Sequence, residues 1–291
     1  MSKPTRLQAK VLKAVHVHAA TARVMQDRAK ARQQTTGQSP PASWYQDFHG
    51  RAVLRQELEN AATAAGIPAV WVAQVRERGD LGMRWRADVH WRAPEFIDRD
   101  QLLKNLEQQV RGVQDMAAVA AVHGERGARS EVGTAQMFDR TLRVLNQRIN
   151  AVAAVLEVSA TEAEQLWGAH TWSTAAEGVR DHNHVTLVDR WRAHARTATT
   201  DLALQAKALT DAGITAGTRA LPAPNDMTEL IRAQLSPTTP PEPGTGLSEP
   251  GARITEAIEA AGITSDTSAE LVITDSPDQS PVTTTVPGIE P

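Results

Sequence analysis

Residues 98–123 read DRDQLLKNLEQQVRGVQDMAAVAAVH, and their periodicity decides the fold class. Leu103, Leu106, Val110, Val113, Ala117 and Ala120 recur at alternating steps of three and four, which puts them on one stripe of a helix. Asp98 with Gln101 three positions on has the form of a capping box, so the helix starts there. Residues 124–127 carry two glycines and read as a loop. Phe138, Leu142, Leu145, Ile149, Val152 and Leu156 then repeat the spacing, and the short connection predicts an antiparallel pair, the spine of a helical bundle.

Working outward from this pair, Ser159 is placed to cap a short helix bearing Leu166 and Trp167, and a last long helix is expected over about 183–212 with Val188, Trp191 and Leu202 on it. On the N-terminal side, Leu7, Val11, Ala14, His18, Ala22, Met25 and Ala29 predict one long amphipathic helix over 4–33. Pro40 and Pro41 break it, because proline cannot continue a helix and restricts the residue before it. A second helix over 44–66 closes at Gly66, where a left-handed C-terminal cap suits glycine. The same cap signature recurs at 211–214 and 260–263 and is read as local, not as a domain repeat. Residues 68–78 form a short helix stopped by Gly79, and 82–92 alternate polar and apolar residues as expected of a small β-hairpin.

Composition bounds the function. The chain has 291 residues, 41% of them hydrophobic, enough for one large or two ordinary domains. It has no cysteine, which removes disulfides, thiolate metal sites and a cysteine nucleophile. Lys13, His16 and His18 interrupt the one stretch resembling a signal-peptide core, and the longest apolar run falls far short of a membrane span. The expectation is a soluble cytoplasmic protein with no membrane association. Net charge is −3, unevenly spread: residues 1–38 hold eight Lys or Arg against one acid, and 236–291 hold one Arg against nine acids. From Ser236 onward Pro, Thr, Ser and Glu dominate, with too few large apolar groups to offset chain entropy. A disordered tail is expected there, in which 248–261 is either a docking helix carrying Ile254, Ala257 and Ile258 or a transient helix without a partner.

One segment carries a mechanism. Around Gly66, residues 58–77 match a helix-turn-helix: Ala62 is small where helices cross, and Val72 and Val75 face back into the pair. With a hairpin after it the unit looks like a winged helix-turn-helix, whose second helix enters the major groove of DNA. Gln74 and Arg76 would then meet base edges, Arg84, Arg86 and Arg92 would be wing cations, and Glu77 would oppose phosphate. The alternative is a helical hairpin packed on its neighbours. The basic first helix, with Lys10, Lys13 and Arg28 among its cations, adds sequence-independent affinity for phosphate, or else is a solvated face. The acidic tail is a competitor for the same basic patch. Seven Trp against three Phe and one Tyr suggest base stacking, but their positions on apolar faces favour core packing.

Residues 181–184, Asp-His-Asn-His, invite a metal reading through His182 and His184, yet helix capping by Asp181 or Asn183 explains them more simply. His16 and His18 do not share a helix face. No phosphate-binding loop, dinucleotide fingerprint, zinc-protease helix or nucleophile elbow occurs, so no catalytic residue and no cofactor is expected.

The segments AAGIPAVWVAQVRERGDLGMRWR, HWRAPEFIDRDQLL and LEVSATEAEQLWG resemble a family of uncharacterised proteins of high-GC actinobacteria, some plasmid-borne, over roughly residues 50–215. That resemblance implies a bacterial cytoplasmic protein from a mobile element and no particular activity. The expected architecture is mainly α: a basic amphipathic helix (1–38), a helix-turn-helix-like unit with a β-hairpin (44–97), an antiparallel bundle (98–215) and a mostly disordered acidic tail (216–291). The function read from it is a non-enzymatic DNA-binding accessory protein, or alternatively a scaffolding protein self-associating through its long helices.

Overall fold

The computed structural model describes residues 3–126 and 132–236. Helices follow one another as α1 (Arg6–Thr36), α2 (Ala42–Ala64), α3 (Ala69–Asp80), α4 (Arg99–Glu125), α5 (Val132–Leu156), α6 (Ala160–Trp167), α7 (Ala169–Arg180), α8 (His184–Ala195), α9 (Thr200–Asp211) and α10 (Pro224–Leu235). The mainly α expectation holds. The tail beyond residue 236, with its expected helix at 248–261 and cap at 260–263, lies outside the described residues; of the loop expected over 124–127, Gly124 and Glu125 instead belong to α4 and Arg126 is a turn.

The spine forms as its periodicity dictates. Leu106, Val110, Val113 and Ala117 on α4 and Phe138, Leu142, Ile149, Val152 and Leu156 on α5 are all buried. Arg99 at the start of α4 donates to the carbonyl of Leu156 at the end of α5 (3.0 Å), so the two run antiparallel. Asp98 caps α4 by accepting from the Gln101 amide at 3.0 Å, while the Gln101 side chain turns to Asn105. This is a bundle seam, not an isolated coiled coil. Helices α5, α7, α8 and α10 all pack on α4, and Ala117, Ala118 and Ala121 let them approach.

Caps fix the connections. At Gly66 (φ 77°) the Ile67 N–H reaches Ala62 O and the Gly66 N–H reaches Thr63 O, both at 3.0 Å, the paired bonds of a Schellman cap. Gly213 and Ile214 close α9 the same way. Ser159 and Glu162 form a capping box on α6, and Asn183 caps α8 by accepting from Thr186 N at 2.9 Å.

Four expectations need correction. No β-hairpin forms over 82–92: the segment is irregular, with a turn at 87–88 and no strand, because side chains on α1 and α3 satisfy its backbone groups. His16 Nε2 donates to Met83 O (2.9 Å), Trp71 Nε1 to Arg92 O (2.8 Å), and Gln74 both donates to His90 O (2.8 Å) and accepts from Arg92 N–H (3.1 Å). The alternation is real, but it seats Trp91 against Trp71 and Trp85 against His16. Second, α3 does not stop at Gly79, which lies within the helix as its point of closest approach to α1. Third, the helix expected over 183–212 is two, α8 and α9. Three β-branched threonines at 197, 199 and 200 weaken helix at the joint, and the chain changes direction so that α8 packs on α4 and α5 while α9 packs on α5 and α2. Fourth, the bundle extends past residue 215: α10 buries Met227 and Ile231 completely against α4 and α7. The average composition of 216–291 concealed these two anchors.

Candidate nucleic-acid interface

Helix α3 follows the Gly66 turn as the helix-turn-helix reading requires, yet its main partner is α1 and not α2. Its outward groups are engaged. The Gln74 amide is used in both directions by the 90–92 backbone. Arg76 bonds the buried carboxylate of Glu59 at 3.1 Å. Arg92 grips Glu77 with two bonds (3.3 and 2.6 Å), and Arg86 grips Asp88 with two (3.1 and 2.9 Å). Both carboxyls, Glu77 and Asp88, are held below their ordinary values by these guanidinium bonds. Arg84 alone of this set is exposed and makes no ion pair among the described residues. A base edge approaching α3 would have to displace bonds that already exist.

The histidine cluster separates as well. His184 begins α8 and is exposed, whereas His182 Nε2 accepts from Arg190 at 2.7 Å, which occupies its lone pair. Among the described residues no group of three or more His, Asp or Glu is placed to hold a metal ion. Arg190 also pairs with Asp115, which takes a second bond from His194 Nε2 at 2.9 Å. Burial pushes the Asp115 carboxyl up, but His194 and Arg190 outweigh it and hold it below the usual carboxylate value. Asp115 and Arg190 border a cleft of about 520 Å³ between α4 and α7, lined also by Gln114, His170 and Thr171. Its charges close on one another, Glu107 with Arg111 and Asp115 with Arg190, so the cleft carries little net field. No local spacing signals the cleft, since Asp115 and Arg190 stand 75 residues apart.

Helix α1 presents the opposite case. Its buried residues, Val11, Leu12, Val15, His16 and Ala19, occupy one side of the first half. At about 3.6 residues per turn, Arg6, Lys10, Lys13, Arg28 and Arg32 fall within about 100° of one another on the other side. All five are exposed, and none is paired with a carboxylate among the described residues. Lys10 donates to a neutral acceptor, Gly213 O, at 3.1 Å and keeps its charge unmatched. Val17 and Val24, each nearly half exposed, stand on the same edge between the two groups of cations. The predicted stripe through Ala22, Met25 and Ala29 is only half buried, and no residue of 20–56 is buried, so the distal half of α1 and the first half of α2 carry no core. The expectation from sequence took in all eight cations of residues 1–38, Arg6 and Arg32 among them; of these Arg23 is paired with Asp27 at 2.7 Å and drops out.

Five of the seven tryptophans, at 71, 91, 167, 172 and 191, are buried, as the core reading expects. Among the described residues no helix is long and apolar enough to cross a membrane. What fold and site define is therefore a mainly helical protein whose first helix carries an outward cationic edge. No protein family model, curated protein or solved structure matches the chain.

Proposed function

We propose that this chain is a non-enzymatic DNA-binding accessory protein that holds the phosphate backbone through α1. The observation that carries the reading is the contrast in charge pairing: Arg76, Arg86 and Arg92 are each closed on a carboxylate, while Arg6, Lys10, Lys13, Arg28 and Arg32 are exposed on one edge without one. Unmatched cations release condensed counterions when they meet phosphate, which gives affinity without base recognition. In this reading the helix-turn-helix-like unit of α2 and α3 is a support for α1 and not the reader, because Gly79 and Ala19 clamp α3 to α1. The self-association alternative draws less support, since the α4 and α5 seam it relies on is buried within the bundle.

The test is fluorescence anisotropy with random-sequence duplex across a salt series. Five contacts correspond to a slope of log K against log salt of up to about −4.5. Replacing Lys10, Lys13, Arg28 and Arg32 with Ala flattens that slope, and replacing Arg76, Arg86 and Arg92 leaves it unchanged. A flat response of the unaltered protein at low salt, or a loss that follows the α3 arginines alone, overturns the proposal.

A further inference from the structure

We infer that α1 bridges a groove of duplex DNA, one cationic group on each flanking backbone and the neutral centre over the groove. The inference rests on the DNA reading above and adds which form of nucleic acid the edge fits. Lys13 and Arg28, the inner members of the two groups, are 15 positions apart on one unbroken helix, about 22 Å along its axis at ~1.5 Å per residue. Between them the edge carries Val17, Thr21 and Val24 and no charge. The major groove is about 12 Å wide between backbone edges, so the backbones that bound it lie roughly as far apart as Lys13 and Arg28 once their own width and the reach of the side chains are included. Phosphates line the backbones and are absent from the groove between them, so an uncharged centre loses nothing there.

A single strand fits this edge poorly. Its phosphates have no fixed two-line arrangement, and a strand following the helix would place several over Val17 and Val24 with nothing to neutralise them. A reader of single strands also stacks bases on aromatic rings near its cations. No aromatic residue stands on this edge of α1. Trp44 and Phe48 on α2 are stacked on each other at 5.1 Å.

The discriminating variant is Thr21→Arg in the full chain, at the partly exposed middle of the neutral stretch about 10–12 Å from Lys13 and from Arg28, where helix content checked by circular dichroism is expected to be unchanged. Binding is compared on a 20-base-pair random duplex and on one of its single strands across the same salt series. The expected result is tighter binding to duplex by the unaltered protein, an unchanged duplex slope in Thr21→Arg, and a single-strand slope steeper by about 0.7. Lys10→Ala/Lys13→Ala and Arg28→Ala/Arg32→Ala are each expected to lower the duplex slope by about 1.8, since each removes two phosphate contacts. A duplex slope steepened by about 0.9 in Thr21→Arg, or single-strand binding equal to duplex binding, overturns the bridge while leaving the DNA reading standing. Absence of binding to either overturns both.

Discussion

Gly79 lies so close to Ala19 that a methyl group added to it would come within 2.7 Å of the Ala19 Cβ and 2.6 Å of the His16 carbonyl oxygen. Neither neighbour is the flexible end of a side chain. The pair therefore sets the distance between α3 and α1, and through it the position of the α1 edge. Gly79→Ala is expected to destabilise the fold by about 1–3 kcal/mol, as overpacking does, despite the better helix propensity of alanine. Gly112→Ala on α4 has open space around the new methyl group and should gain up to about 1 kcal/mol. Urea midpoints of the two variants check this, and equal effects would refute the close-packing argument.

A buried polar chain joins three helices. Glu57 on α2 accepts from Gln205 Nε2 (2.7 Å) on α9, and Arg148 Nε on α5 donates to Gln205 Oε1 (2.6 Å). Burial pushes the Arg148 guanidinium down while Glu57 pulls it up, so the two charges depend on each other through Gln205. Removing one leaves the other uncompensated. Arg148→Met is expected to cost about 3 kcal/mol and Glu57→Gln about as much, whereas the double variant should cost clearly less than their sum. Additive losses in a double-mutant cycle would show that the chain is not coupled.

Stability should fall in two stages on acidification. Desolvation by burial lowers the pKa of His16, His18 and His123 from 6.5, so the unfolded chain takes up protons first. Their contribution is complete above pH 6.5 and is lost as pH falls below it. For His16, Met83 O accepts from Nε2, so the buried Nδ1 is unprotonated and without a partner. The second stage belongs to the carboxyls held down by their partners, Glu77, Asp88 and Asp115 among them, and most of all to Glu162, which is lowered from 4.5 to about 2 by its bonds to Arg99. Its contribution is complete above pH 4.5 and disappears towards pH 2. His16→Gln, which keeps a donor for Met83 O, should shrink the first stage, and Glu162→Gln the second. Thermal midpoints at intervals from pH 7.5 to 3 separate them.

Glu157 ends α5 with φ 55°, and its neighbour Val158 donates to Ala153 O at 3.1 Å, which is the glycine-type cap built with a glutamate. A Cβ in that conformation costs roughly 1–2 kcal/mol. Glu157→Gly is therefore expected to raise the thermal midpoint, with a gain of about 1 kcal/mol after the added chain entropy. A lowered midpoint would mean that the Glu157 side chain does more than its exposed position indicates.

Local chemistry was readable wherever a few neighbouring residues act alone. The caps at Asp98, Ser159, Asn183, Gly66 and Gly213 and the seam of α4 and α5 all followed from spacing, because each is a bond or a stripe formed within one helix or between two. The 82–92 segment was misread for the complementary reason: alternation says that every second residue is buried, not what buries it, and here side chains from α1 and α3 take the place of a partner strand. Composition averaged over 216–291 likewise hid α10, whose two buried residues matter only once α4 and α7 are beside them.

The sequence by itself determined that the chain is helical and that its first helix is basic, since periodicity and charge are properties of order along the chain. Which cations are free was decided only in three dimensions. Arg76 meets Glu59 from 17 residues away and Arg92 meets Glu77 from 15, so the pairing that silences α3 depends on how helices pack. The same packing buries one side of the first half of α1 and turns Arg6, Lys10 and Lys13 outward, and the unbroken helix carries Arg28 and Arg32 along the same edge.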